Sequence, residues 1–401
     1  MAPHGGHDQK QRLAASVHIR LGKRQTFSSM ASSFSEGYLD SRPLAGMCYN
    51  AVHGISPTRE LPMRVYLMVR PRLLKDFPEG AARAEALGYD GITMLELTVP
   101  PTLSATASSM NTSRIDLLTG IFVAFPRSPM ATAYDAWAIQ SLSNGRFQLG
   151  LGAQTKSHLT RRWNVEHTPP VPRMREYVQS MRAIWECWQN GTRLNYEGEH
   201  YKFSLMIPYY NPGPIEHPHV PVYLAAINKY MCRLTGEVAD GHIPGDPVTY
   251  KWFCEMMLPN LEIGAKRAGR TLKDIDLGGH GFIGCAKTEA GLEVVRKRLR
   301  ARIALYASTP EYRPMLEMHG WDHMFSAFID LARADKWDEM GVLVTDDMLA
   351  EYTVVGTPEE LPGKLKARFG GLSQRVQMDD EWIEELSDDD HTKLVAAIQK
   401  I

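Results

Sequence analysis

Residues 143–154 have the sequence SNGRFQLGLGAQ, and one helix length before them residues 114–125 have the sequence RIDLLTGIFVAF. Both stretches contain apolar runs with few interruptions, as is typical of parallel strands that are covered on both faces. The segment between them, residues 129–142, is predicted to be a helix. The two stretches therefore predict a strand–helix–strand unit, the building block of parallel α/β folds.

The same alternation continues in both directions along the chain. Eight strands are predicted, at residues 63–69, 91–97, 114–125, 145–152, 220–226, 241–245, 275–285 and 375–378. Helices are predicted at residues 76–87, 129–142, 174–188, 229–239, 250–268, 289–307, 320–350 and 357–369. Eight such units favour an α/β fold of the (β/α)₈ TIM barrel type, with insertions in its βα loops. The alternative is a doubly wound sheet, which usually has GxGxxG directly after the first strand, where this chain has Arg70-Pro71-Arg72.

Composition excludes several classes of function. The 401 residues include 45 basic and 46 acidic ones, so the formal net charge of -1 gives no overall field that would attract nucleic acid or a membrane surface. No apolar run is long enough to cross a membrane. The scattered cysteines form no CxxC pair, which predicts reduced thiols and no metal site; they are Cys48, Cys187, Cys232, Cys254 and Cys285. A cytoplasmic protein with a small-molecule substrate is expected.

The two ends of the chain differ in composition from the middle. Five basic residues and no acidic one lie between Gln9 and Ser35, as in an organelle transit peptide. Residues 1–62 are therefore predicted to be a disordered extension, with a mitochondrial transit peptide as the alternative. The barrel is predicted to occupy residues 63–378. Eight of the twelve residues from Asp379 to Asp390 are acidic, and residues 379–401 are predicted to form an acidic C-terminal helix with a solvated face.

Three longer stretches carry a resemblance to a known family. They are RSPMATAYDAWAIQSLSNGRFQLGLG (127–152), YYNPGPIEHPHVPVYLAA (209–226) and YASTPEYRPMLEMHGW (306–321). Over residues 63–378 the chain resembles the bacterial luciferase-like family of flavin-dependent oxidoreductases. Within that family it is most similar to the branch that uses coenzyme F-420, a deazaflavin. The resemblance implies a luciferase-like TIM barrel with its cofactor at the C-terminal ends of the strands.

The resemblance also implies which residues hold the ring of the cofactor. Gly120-Ile121 aligns with the place where F-420-dependent relatives have a non-prolyl cis peptide, which forms a bulge behind the deazaflavin ring. Gly150 and Gly152 lack side chains where a flat ring would approach the backbone, although tight strand packing explains them equally well. Gln154 could form a hydrogen bond with the edge of the ring.

The loop after the fifth predicted strand is implied to hold the phosphate of the cofactor. Ala226 ends that strand, and Asn228, Lys229 and Tyr230 begin a helix. A helix N-terminus offers free N–H groups and a partial positive charge, and Lys229 adds a full one. Relatives often have a Gly-Pro pair here that this chain lacks. An ordinary helix that is N-capped by Asn228 is the alternative.

Two residues are candidates for handling the proton that accompanies a hydride. Glu96 follows the second predicted strand, where relatives place acidic or histidine residues, although a structural hydrogen-bonded role is the alternative. His158 lies in a polar loop after the fourth strand, and its ordinary pKa near 6.5 suits a proton donor. A solvated loop histidine is the alternative for His158.

Three functions remain open at this point. The first is hydride transfer between F-420 and a small organic substrate. The second is an FMN- and oxygen-dependent monooxygenase, the other main activity of the family. The third is a non-catalytic barrel. Substrate choice is expected to depend on the loops at residues 97–113, 155–173 and 195–219, and the resemblance leaves a homodimer as an option.

Overall fold

The computed structural model describes residues 62–401. The predictions made for the N-terminal extension, and for Cys48, therefore lie outside the described residues. In the part of the chain that is described, the other four cysteines are free thiols. No helix in this part combines the length and the apolar character needed to span a bilayer.

Eight parallel strands close into a barrel, which confirms the predicted fold class. Each of the first six barrel strands pairs in parallel with the next barrel strand along the chain, and the eighth pairs in parallel with the first. The seventh and eighth strands close the ring through a parallel bridge between Gly278 and Arg375 and a 2.6 Å hydrogen bond from Gly279 N to Arg375 O. The first to eighth strands are Arg64–Val69, Gly91–Met94, Asp116–Thr119, Phe147–Gly152, Val222–Ala225, Gly241–Ile243, Asp276–Leu277 and Arg375–Asp379.

Helices follow the strands and surround the barrel, as the alternation predicts. Two predicted helices, residues 129–142 and 289–307, have the bounds that the structure shows. The α-helices are Phe77–Ala86, Pro101–Ser109, Pro129–Leu142, Lys156–Arg161, Pro170–Asn190, Lys229–Val238, Tyr250–Trp252, Leu258–Arg267, Glu289–Ala307, Arg313–His319, Phe325–Arg333, Trp337–Val342, Asp346–Tyr352, Leu361–Phe369 and Asp388–Ile398. A π-helical turn, Phe253–Met257, joins two of them.

The alternation of side chains along the first strand shows how the barrel is built. Val69 faces outward, toward the surrounding helix. Its Cγ1 would lie 3.0 Å from a Cβ placed on Gly80 of that helix. Tyr66 faces inward, and its hydroxyl donates a hydrogen bond of 2.5 Å to Asp116. The apolar core therefore lies between strands and helices, where Val65 and Leu67 are buried.

A network of charged and aromatic side chains fills the N-terminal half of the barrel interior. Asp276 accepts hydrogen bonds from Tyr223 Oη at 2.6 Å and from Arg64 Nη2 at 2.5 Å. Arg375 lies on the same carboxylate, with Nε 3.5 Å from Oδ2. Burial opposes ionisation of Asp276, but the guanidinium groups of Arg375 and Arg64 hold its pKa below its ordinary value. These hydrogen bonds and ion pairs link the first, fifth, seventh and eighth strands inside the barrel.

The seventh predicted strand, residues 275–285, is wrong as a single element. Only Asp276–Leu277 lies in the barrel, and Phe282–Ala286 pairs with Thr353–Gly356 and Ile383–Glu384 in a separate sheet. The chain leaves the barrel at Gly281, whose φ is +73° and where a Cβ would lie 2.4 Å from Tyr352 O. Only glycine fits such a turn, and the three glycines among residues 278–281 mark the break in the sequence.

Two further differences affect the mouth of the barrel. The loop at residues 97–113 contains the helix Pro101–Ser109, which was not predicted. At the C-terminus the helix begins only at Asp388, with a capping box between Ser387 and Asp390. The first residue of the acidic run, Asp379, instead ends the eighth strand and is buried. The expectation of a solvated face therefore fails for Asp379.

Candidate active site

The mouth of the barrel is formed by the residues that directly follow the strand ends. In (β/α)₈ enzymes this face carries the active site. The mouth is lined by residues 70, 95–96, 120–121, 153–154, 226–228, 244–246, 278–281 and 380–381. All ten predicted site residues lie at or just after the ends of the second to fifth strands, which are neighbours in the barrel. The structure thus brings them to one half of the mouth.

The third strand ends in a bulge at the mouth. The peptide bond between Gly120 and Ile121 is cis, at the position that the family resemblance implies. A Cβ on Gly120 would lie 2.3 Å from Thr93 Cγ2, so the chain needs glycine there. The side chain of Ile121 is half-buried, and after it Phe122–Val123 pairs with the fourth strand. The bulge leaves Ile121 as an apolar surface at the mouth.

The structure corrects the expectation that Gly150 and Gly152 leave room for a flat ring. A Cβ on Gly150 would lie 1.9 Å from Thr119 O, and a Cβ on Gly152 would lie 2.0 Å from Ile121 Cδ1. Thr119, which ends the third strand, and Ile121, which lies just after it, already fill these two spaces. The glycines therefore serve the close packing of two strands, and a ring in this half of the mouth would meet Ile121 rather than bare backbone.

Glu96 is engaged in a buried ion pair. Its Oε2 accepts a 2.7 Å hydrogen bond from Val123 N and one of 3.1 Å from Arg127 Nη1, while Oε1 lies 2.5 Å from Arg127 Nη2. Only 5% of its side chain is exposed. Both oxygens are thus occupied in fixing the bulge after Ile121. This geometry supports the structural role for Glu96 over the role of a proton donor.

Arg127 connects this ion pair to aromatic side chains beside the mouth. Its Cζ lies 4.2 Å from the ring centroid of Phe122 and 5.4 Å from that of Trp163. The indole N–H of Trp163 is buried and has no hydrogen-bond partner among residues 62–401. Since buried donors are rarely left unpaired, Trp163 marks a place where a ligand acceptor would be favourable.

The loop after the fourth strand is polar and basic. Gln154 has a positive φ of +61°, which turns the chain into the short helix Lys156–Arg161. His158 lies on that helix with its side chain exposed to solvent. No structural contact ties the His158 ring to the other predicted site residues. Its position fits the solvated alternative.

The helix that follows the fifth strand begins as predicted. Asn228 caps it, since its Oδ1 accepts a 3.1 Å hydrogen bond from Met231 N. The N–H groups of Lys229 and Tyr230 belong to the first turn, where no intrahelical acceptor exists. Both side chains are exposed, and Lys229 Nζ lies 4.8 Å from the Tyr230 ring centroid. This helix end presents donors and a positive charge at the mouth.

Ala226 lies inside the protein, unlike the exposed residues Asn228, Lys229 and Tyr230 that follow it. Its N–H donates a 3.1 Å hydrogen bond to Ile243 O, and its carbonyl lies 2.9 Å from His242 Nε2. Its backbone polar groups are thus satisfied inside the protein. Ala226 positions the loop before Asn228 and offers a ligand no polar contact.

The opposite half of the mouth carries charged residues that were not predicted. Arg70, which follows the first strand, pairs with Asp379 and donates a 2.5 Å hydrogen bond to Glu381 Oε2. Glu381 also accepts a 2.5 Å hydrogen bond from Arg302 Nη2. Arg302 belongs to the helix 289–307. The ion pairs join the first strand, the eighth strand and this helix across the mouth.

Asp246 is a further titratable residue at the mouth that sequence analysis missed. It follows the sixth strand and has no hydrogen-bond or ion-pair partner in the described part of the chain. Burial raises its pKa to about 7, although Arg70 and Arg302 act to lower it. A Gly-Asp-Pro sequence is an ordinary turn signal, so nothing in it marked this aspartate. Its position at the C-terminal end of a barrel strand is the signal that could have found it.

Comparison with known proteins finds relatives that match most of the chain. An uncharacterized protein of Mycobacterium tuberculosis is 36% identical over 306 residues, which cover 76% of this chain and 90% of that protein. The 5,10-methylenetetrahydromethanopterin reductase of Methanolobus tindarius is 27% identical over 303 residues, covering 74% of this chain and 87% of that protein.

Two solved structures share the fold. The coenzyme F-420 dependent tetrahydromethanopterin reductase of Methanopyrus kandleri superposes with a TM-score of 0.69 at 20% identity, covering 84% of this chain and 97% of that one. The oxygenating constituent of 3,6-diketocamphane monooxygenase from Pseudomonas putida, in complex with FMN, gives a TM-score of 0.60 at 14% identity and covers 84% and 97%. The family model for luciferase-like monooxygenases matches residues 58–373. This chain therefore belongs to the luciferase-like monooxygenase family of oxidoreductases.

Proposed function

We propose that this protein transfers a hydride between the deazaflavin coenzyme F-420 and a small organic substrate. The observation that carries the proposal is the pairing of two features in one half of the mouth. One is the apolar surface of Ile121, and the other is the donor-bearing helix end at Lys229 and Tyr230. A flavin-type cofactor has the matching pair, a flat ring and an anionic phosphate. The names of two relatives, both methanopterin reductases and one of them F-420 dependent, favour the deazaflavin.

The residues present fit such a cofactor in three respects. The free N–H groups of Lys229 and Tyr230 suit a phosphate, because a helix N-terminus stabilises an anion. The half-buried side chain of Ile121 suits one face of a ring. The unpaired indole N–H of Trp163 suits a polar atom of the ligand. Other anionic ligands would meet the first condition but have no use for the other two.

Each part of the chain then has a distinct task. The cofactor supplies the hydride chemistry when it is bound. Lys229 and the helix end fix its phosphate, and Ile121 supports its ring. The Glu96–Arg127 ion pair stabilises the bulge that carries Ile121, which sets the position of the ring. Gln154 remains a proposed contact for the edge of the ring.

A monooxygenase that uses FMN and oxygen is the second candidate. It is favoured by the structural similarity to a monooxygenase described in complex with FMN. The same helix end would bind the phosphate of FMN. The ion pairs and glycines of the mouth also do not favour one cofactor over the other. A non-catalytic barrel is the third candidate, since the Gly-Pro pair common in relatives is absent after Ala226.

The deciding experiment is a pair of titrations of the purified full chain. F-420 and FMN are added separately, and binding is followed by absorbance and by fluorescence of the cofactor. Tight binding of F-420 without binding of FMN supports the proposal. The reverse result selects the monooxygenase, and binding of neither cofactor selects the non-catalytic barrel.

A further inference from the structure

Two peptide groups lead from the fifth strand into the helix that follows it. We call residues 226–230 the phosphate loop, since they include the helix end proposed to bind the cofactor phosphate. The carbonyl oxygen of Ala226 lies 2.9 Å from His242 Nε2, and the carbonyl oxygen of Ile227 accepts a 3.0 Å hydrogen bond from Trp252 Nε1. Both carbonyls that precede the helix are therefore held by side chains of the next strand and the helix after it.

The carbonyl of Ala226 points outward from the barrel. Ile243 packs against Tyr66 inside the barrel, so His242, its neighbour on the sixth strand, faces outward and is fully buried there. The peptide bond after Ala226 is trans, and in a trans peptide the N–H points opposite to the carbonyl of the residue before it. The N–H of Ile227 therefore lies on the barrel side of the loop.

The N–H groups of Ile227 and Asn228 are left free by this arrangement. Neither has a hydrogen-bond acceptor within residues 62–401. The N–H groups of Lys229 and Tyr230 are free as well, because they belong to the first helical turn. Four successive donors are thus available to an anion, and the hydrogen bonds to the two carbonyls set the directions of the first two.

The side chains that hold the two carbonyls belong to one packed unit. The backbone N–H of Trp252 donates a 3.1 Å hydrogen bond to the hydroxyl of Thr249, which caps the short helix Tyr250–Trp252. Phe253 comes next in the chain and stacks on His242, with ring centroids 6.4 Å apart. Phe253 also begins the π-helical turn, a feature that is frequent at functional sites.

We propose that Trp252 and His242 are positioning residues of the phosphate loop, an inference that rests on the proposed function. Their hydrogen bonds hold two carbonyl oxygens, which would repel a phosphate, away from the ligand. The N–H groups of Ile227 and Asn228 then bind the phosphate together with the helix end. A carbonyl oxygen can only accept a hydrogen bond, so His242 Nε2 carries a proton and acts as a donor, as an indole always does.

The contact made by Trp252 is the clearer of the two to remove. The carbonyl of Ile227 has no second donor in the described part of the chain. The carbonyl of Ala226, in contrast, also has Cys232 Sγ 3.7 Å away. Trp252→Phe deletes the indole donor and keeps an aromatic ring at the same position.

Trp185→Phe is the matched control. Trp185 Nε1 donates a 3.2 Å hydrogen bond to Ala133 O, which joins two helices that contain no residue of the phosphate loop. Each variant loses one indole-to-carbonyl hydrogen bond, so thermal unfolding should show a similar loss of stability for both. Only Trp252→Phe should change the binding of a phosphate.

Titrations of the full chain with two probes isolate the contribution of the phosphate. One probe is F-420, and the other is the same deazaflavin without its phosphate-bearing tail. Trp252→Phe should bind F-420 about two- to ten-fold more weakly than the wild type, the range that corresponds to one lost hydrogen bond. Its affinity for the phosphate-free deazaflavin should equal that of the wild type. Trp185→Phe should leave both affinities unchanged.

His242 is tested by rescue with a second donor. His242→Leu should show the same loss of affinity for F-420 alone. His242→Gln should recover most of that affinity, because an amide N–H can donate to the carbonyl of Ala226 in place of Nε2. Equal affinities of these two variants for F-420 would contradict the positioning role of His242.

The outcomes separate the two proposals. If neither probe binds to the wild type, the proposed function is wrong and the positioning role falls with it. If F-420 binds equally well to the wild type and to Trp252→Phe, the proposed function stands and the positioning role is wrong. An equal loss of affinity for both probes in Trp252→Phe would reveal a general structural effect and would overturn the inference as well.

Discussion

Two glycines on the fourth strand provide a direct test of how the mouth is built. A Cβ on Gly150 would lie 1.9 Å from the backbone oxygen of Thr119, and Gly150 N also donates a 2.8 Å hydrogen bond to Thr119 Oγ1. A Cβ on Gly152 would instead lie 2.0 Å from the terminal Cδ1 of Ile121. Backbone cannot move without displacing a barrel strand, whereas a side chain can rotate. Alanine should therefore cost much more stability at Gly150 than at Gly152.

For Gly150→Ala we expect a large loss of stability. Overpacking typically costs about 1–3 kcal/mol, and a backbone clash belongs at or above the upper end of that range. At about 2–4 °C per kcal/mol for large domains, the melting temperature should drop by roughly 5 °C or more. Gly152→Ala should cost only about 1 kcal/mol, but it should turn Ile121 into the mouth and weaken F-420 binding several-fold.

Thermal unfolding and fluorescence titration of the two variants measure both effects. The double variant Gly152→Ala with Ile121→Ala serves as the control, because removing the displaced side chain should reopen the mouth and recover part of the binding. A melting temperature of Gly150→Ala within about 2 °C of the wild type would show that the third and fourth strands are not packed as tightly as described. A larger loss of stability for Gly152→Ala than for Gly150→Ala would contradict this packing as well.

Three further predictions concern single side chains. Glu96→Gln should cost about 1–3 kcal/mol in a denaturant titration, because Arg127 loses the charge of its buried partner; no loss would contradict the structural role. Lys229→Ala should weaken F-420 binding about five-fold or more, as expected for one charged contact, whereas Lys266→Ala on a different helix should leave the affinity unchanged. Burial lowers the pKa of His280 well below 6.5. The stability that neutral His280 contributes is therefore present above pH 6.5 and is lost as the pH falls. His280→Phe should lessen the destabilisation by acid, as thermal unfolding at pH 5 and pH 7 would show.

The barrel could be predicted because its signal is repeated and local. Each strand is a short apolar run and each helix has its own spacing, so eight units could be counted from one sequence. The prediction joined the apolar residues on both sides of Gly278 to Gly281 into one strand, whereas the chain changes sheets there. Pairing of Phe282–Ala286 with a strand about seventy residues later depends on the packing of the whole chain, which no local pattern encodes.

The candidate site likewise contains residues that could be located from the sequence and residues that could not. Positions that follow directly from a strand end, such as Gly120 and Asn228, could be located from the sequence and the family resemblance. The ion pair of Arg70 with Asp379 joins residues 309 positions apart and exists only because the barrel closes between its first and eighth strands.

The most direct test of the proposed function is a crystal structure of the full chain with F-420 bound. The proposed function predicts that the deazaflavin ring lies against Ile121 at the mouth. It also predicts that the phosphate lies within hydrogen-bonding distance of the N–H groups of Lys229 and Tyr230. A ring bound elsewhere on the barrel, or a phosphate that does not contact this helix end, would contradict it.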